Sequence, residues 1–227
     1  MIEPLEVENL ANYCKSSLDL SNLQLPEEYG YSNLLLCIID AIFSIGVTYT
    51  STRNTVNRFS VYVHDKHGPC IEMSISDLCK LHSEDTIESI AQTIYQNSQR
   101  TSSRNGILKA EAVWRVAQLL QSLGVESFTD IEKFIGKEAF ENDFKQIPGQ
   151  NSGVSLRYFY MLLGSETEIK PDRMIIRFIS NALNRSVKME ECHALLLDTC
   201  AMLASEFPDL KPRTLDHFIW QFQSSQK

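Results

Sequence analysis

The tightest constraint on this chain is a proline and two glycines set between two apolar helix patterns. Ala139, Phe140 and Phe144 have the spacing of a short helix. It must stop at Ile147, because Pro148 restricts the residue before it and has no N–H to donate. A second apolar helix pattern occupies residues 154–163. Gly149, Asn151 and Gly153 all tolerate positive φ, so the pattern predicts a reversal over 147–153 with bare backbone at its tip. A helix starting at Ser152 or Gly153 has unpaired N–H groups and the positive end of its dipole there, which suits one phosphate.

Beyond the reversal comes Lys170-Pro171-Asp172-Arg173, with Met174, Ile175 and Phe178 at helical spacing after it. Asp172 therefore falls at the first turn of a helix. A carboxylate there is either an N-cap stabilised by the dipole or an acid offered to a ligand.

The run Ile147-Pro148-Gly149 through Gly153, followed by Asp172 and then Arg177, resembles the endonuclease III-like DNA glycosylases. The resemblance implies a helix-hairpin-helix motif whose backbone holds a DNA phosphate, and a catalytic aspartate at the mouth of a base pocket. It assigns that role to Asp172. Gly149, Gln150, Asn151, Ser152, Gly153, Lys170 and Arg173 become the DNA-binding candidates. The implied architecture is all-α and two-lobed, with a cleft between the lobes. Residues 31–150 would form a helical barrel ending in the hairpin, and 1–30 with 151–227 the second lobe. Two departures narrow the chemistry. Gly153 stands where lyase members carry a nucleophilic lysine, so no Schiff base can form there. Cys192 and Cys200 are separated by seven residues, which is not an iron-sulfur spacing.

The expected reaction is hydrolysis of the N-glycosidic bond of a flipped base in damaged duplex DNA, without strand cleavage. Two alternatives stay open: a non-catalytic DNA-binding protein of the same fold, and a helical protein-interaction module in which Asp172 is only a cap. The net charge of −8 opposes nucleic-acid binding. Its distribution softens that objection. Residues 151–189 carry six basic side chains against three acidic ones, a balance of +3, while residues 1–30 carry one against six, a balance of −5.

No stretch reaches the roughly 18 apolar residues of a membrane span, and the acidic start MIEPLEVENL is unlike a secretory signal. A cytoplasmic protein is expected, nucleoid-associated if it binds DNA. The six cysteines are then read as reduced thiols. Cys70, Cys79, His64, His67 and His82 have no tight ligand spacing, so neither a metal nor a cofactor is expected.

Residues 31–45 are nearly continuously apolar and predict a buried central helix, within which Asp40 must find an arginine, a helix end or water. Ser51 or Thr52 is expected to cap the next helix. In the 107–123 helix Trp114 is expected in the core, and Trp220 against the N-terminal segment.

Overall fold

A computed structural model describes residues 2–26, 30–68 and 73–226. Cys70 and Pro69 lie outside the described residues. The helices are α1 (Pro4–Ser17), α2 (Leu34–Phe43), α3 (Tyr49–His67), α4 (Ile75–Ser83), α5 (Ile87–Thr93), α6 (Lys109–Ser122), α7 (Phe128–Ile131), α8 (Glu138–Gln146), α9 (Val154–Leu162), α10 (Arg173–Leu183), α11 (Met189–Leu203) and α12 (Pro212–Ser225). Among the described residues no strand forms, and 63% of them are helical. The expected all-α class is what is observed. The chain divides into two compact units, one made of residues 30–163 and the other of 1–29 with 164–227.

In the unit of residues 30–163, α2 runs through the core and packs against α3, α6 and α9. Nine of its ten residues are buried, as a helix apolar on every side should be. Asn33 caps its start, accepting the Leu35 N–H at 2.7 Å. Its end is capped from another helix. The buried Lys109, first residue of α6, donates through Nζ to the carbonyls of Phe43 (3.0 Å) and Ile45 (2.8 Å), where a cation also suits the negative end of the dipole. Asp40 is buried too, and the Tyr31 hydroxyl donates to its Oδ2 at 2.7 Å.

Two expectations change in this unit. α3 begins at Tyr49, earlier than a Ser51 or Thr52 cap allows, because the Thr48 carbonyl already accepts the Ser51 and Thr52 N–H groups. Thr52 is instead buried inside the helix. Trp114 is only half-buried, and the inward face of α6 is made by Ala112, Val113, Val116, Ala117 and Leu120. His82 belongs to the core. Its Nδ1 donates to the Leu78 carbonyl (3.0 Å), leaving Nε2 to accept from the Tyr95 hydroxyl (3.1 Å). Burial pushes its pKa down to about 4.

In the other unit, Leu10, Ala11 and Cys14 of α1 share a core with Ile175, Phe178 and Ile179 of α10, Leu195 and Leu196 of α11, and Leu215 and Ile219 of α12. Trp220 is half-buried and stacks on His217, with ring centroids 6.1 Å apart. The five described cysteines are buried free thiols, and burial pushes Cys14 up to about 12, which leaves it unreactive as a nucleophile.

Two consequences can be measured. Lys109→Met strands the Phe43 and Ile45 carbonyls away from water and should lower stability by about 2–4 kcal/mol in urea titrations; a change under half a kcal/mol would remove Lys109 from its capping role. Because His82 has a lower pKa folded than unfolded, the unfolded chain binds more protons as pH falls from about 6.5 to about 4. Stability should therefore drop across that window by about 3 kcal/mol more in the wild type than in His82→Gln. Parallel pH profiles for the two proteins would contradict this.

Candidate functional site

The reversal at 147–153 takes the form its residues dictate. Ile147 is extended, as the residue before a proline must be, and ends α8. The Gln150 N–H then donates to the Ile147 carbonyl and the Gly153 N–H to the Gln150 carbonyl, each at 2.9 Å. Gly149 (φ +88°) and Gly153 (φ +74°) are left-handed, while Asn151 is not. At Gly149 space adds to the conformational demand. A Cβ there would lie 2.3 Å from that of Thr101, so the turn rests on the 98–108 segment with no room for a side chain. Gly153 is the N-cap of α9, and a lysine at this position would carry left-handed strain and press on the Lys145 stem.

Asn151 and Ser152 are exposed at the tip, and their N–H groups find no acceptor among the described residues. Gln150 differs: its side chain turns inward, buried, and accepts from the Ser155 hydroxyl. Only its backbone belongs to the turn surface. Beside the turn, Glu141 accepts from both Lys145 (3.3 Å) and Arg157 (3.1 Å). This trio went unnoticed in the sequence, although Glu141 and Lys145 stand at the i, i+4 spacing of a helix pair.

Lys170, Asp172 and Arg173 come together at the entry to α10, in the unit of residues 1–29 and 164–227, whereas Gly149 to Gly153 belong to the other unit. Asp172 is the N-cap of α10: Oδ1 accepts the N–H groups of Met174 (2.7 Å) and Ile175 (3.4 Å). Oδ2 accepts none among the described residues, and Arg173 is exposed. Arg177, matched above to an arginine of the glycosylases, donates from Nε to Gln223 Oε1 and joins α10 to α12.

The residue that sequence reasoning missed here is Asp216. It is buried on α12, and its Oδ1 accepts the Lys170 N–H at 2.9 Å. Burial raises its pKa to about 8, and the nearby Asp172 charge adds to the rise. A signal was present: Asp216 adjoins Leu215 and lies three residues before Ile219, on the apolar stripe of its helix.

Two open cavities lie within residues 30–163. One of about 560 Å³ is lined by Asn54, Arg58, Val61, Tyr62 and Gln96, and one of about 230 Å³ by Asn33, Met73, Glu126 and Phe128; neither includes a residue of the 147–153 turn. Among the described residues no group of three or more His, Cys, Asp or Glu side chains is placed to hold a metal ion. No described helix is long and apolar enough to cross a membrane.

No curated protein and no solved structure matches the chain. One family model does, over residues 8–224, with the description "Domain of unknown function (DUF8548)". With nearly its whole length covered by that match, the chain belongs to the DUF8548 family.

Proposed function

We propose that the chain is a monofunctional DNA glycosylase-like protein, which hydrolyses the N-glycosidic bond of a flipped base. The observation that most supports this is the division of labour in the Asp172 carboxylate. Oδ1 is committed to the start of α10, which fixes the side chain, while Oδ2 is left without a hydrogen bond among the described residues. An N-glycosidic bond breaks through a transition state with positive charge on the sugar. A fixed carboxylate stabilises that charge and can orient or deprotonate the attacking water. With glycine at 153 there is no amine to attack, so the product would be an abasic site on an intact strand. The tip amides of Asn151 and Ser152 would hold a backbone phosphate, with Lys170 and Arg173 adding positive charge near Asp172. Extruding the base costs least at mismatched or damaged positions, which makes lesions the natural substrates.

A second reading, a DNA-binding protein without turnover, needs only the exposed tip amides of Asn151 and Ser152 and leaves Asp172 as the cap of α10. Glu141 pairs with both Lys145 and Arg157 beside the turn, so its DNA footprint would be small.

Duplexes carrying alkylated, deaminated or oxidised bases, incubated with protein and then treated with alkali, test the enzymatic reading. Asp172→Asn should lower base release by about 100-fold or more. Asparagine caps a helix as well as aspartate does, so its folding stability should stay within about 1 kcal/mol of wild type. Base release from no lesion, or full release by Asp172→Asn, would end this reading, and borohydride should trap no covalent adduct in either protein. Binding to abasic DNA should weaken with a log–log salt slope of only about −1 to −2, the signature of one or two phosphates. A slope near −6 in titrations from 50 to 200 mM salt would require a far larger contact surface than the turn provides.

A further inference from the structure

The tripeptide Lys170-Pro171-Asp172 is held at both ends. At one end the Lys170 N–H donates to Asp216 Oδ1 on α12 at 2.9 Å. At the other, Asp172 Oδ1 takes the first amides of α10. Between them the Asp172 N–H donates to the Lys170 carbonyl at 2.6 Å, closing a tight turn. Proline in the middle removes one soft dihedral and one donor. The position of the Asp172 side chain thus depends on a carboxyl group 44 residues further along the chain.

We propose that Asp216 is a positioning residue for Asp172: its buried carboxyl accepts the Lys170 N–H and so anchors the 170–172 turn from which Asp172 projects. This rests on the assignment of Asp172 above as the acting carboxylate. The charged groups acting on Asp216 are Lys170, which favours its ionisation, and Asp172, which opposes it, both from the turn leading into α10. On its own helix Arg213 and His217 are the nearest titratable neighbours. A carboxyl buried beside another acid does not ionise cheaply, so Asp216 keeps its proton well above the usual carboxylate range. As a neutral acid Asp216 accepts the Lys170 amide and adds no second negative charge beside Asp172. Its pKa is raised in the folded chain, so its contribution to holding the turn is complete below about pH 4 and is lost progressively as pH rises to about 8.

The test follows the whole protein by NMR, with carboxyl carbons and the Lys170 amide as reporters. In the wild type the Asp216 carboxyl should titrate near pH 8. The Lys170 amide protection factor should fall roughly tenfold per pH unit below that point and level off above it. In Asp216→Asn, which keeps an acceptor oxygen and cannot ionise, protection should be independent of pH. Titration of Asp216 near pH 4, or wild-type protection unchanged across the range, would overturn the proposal, and neither readout needs a variant to fold. Base release by the wild type should decline as pH rises toward 8, while that of Asp216→Asn does not. If no lesion is processed but the amide behaves as described, the glycosylase reading fails and the anchor stands.

Discussion

The unit of residues 30–163 depends on satisfying the end of a buried helix. α2 is buried along almost its whole length, and a carbonyl at its end left unpaired away from water would cost on the order of 1–3 kcal/mol. Lys109 meets this need from α6 with a charged donor to two carbonyls at once, while its stem adds to the packing and its ammonium lies 6.0 Å from the centre of the Phe43 ring. The short segment from Ser44 to Thr48, and with it the start of α3, is held from the same point.

The helices themselves were largely legible in the sequence, because apolar residues at 3.6-residue spacing report on the face that a helix buries. α6 falls within two residues of its expected bounds, and α2 is the central buried helix that its apolar run announces. The errors arise where a tertiary partner decides. Lys109 reads as an ordinary surface lysine until the end of α2 lies over it. Trp114 stays half-buried, and the core face of α6 is filled by smaller residues such as Ala112, Val113 and Ala117. Tyr31 reaches Asp40 across nine residues of chain, a pairing that no local rule supplies.

The candidate site was legible in part, for the same reason. The turn at 147–153 and the cap at Asp172 are set by local chemistry, proline and glycine in one and a carboxylate before an apolar helix in the other. Asp216 and Glu141 act through contacts made only after folding. Each is an acid brought close to other charged groups, and the two environments differ in effect. Glu141 lies between two cations, whereas Asp216 is buried against a second acid. Residue type alone would have treated them alike.

Gly149 touches Thr101 so closely that no side chain could come between them. The 98–108 segment is itself braced by the Arg100 guanidinium, which donates to the Gly106 carbonyl at 2.7 Å, and by the pairing of Arg100 with Leu108. The tip of the turn therefore takes its shape from a stretch made nearly fifty residues earlier, and that ordering is complete once the chain has folded. A molecule docking on Asn151 and Ser152 would meet a preorganised surface, and its affinity would not be reduced by the entropy of arranging that loop.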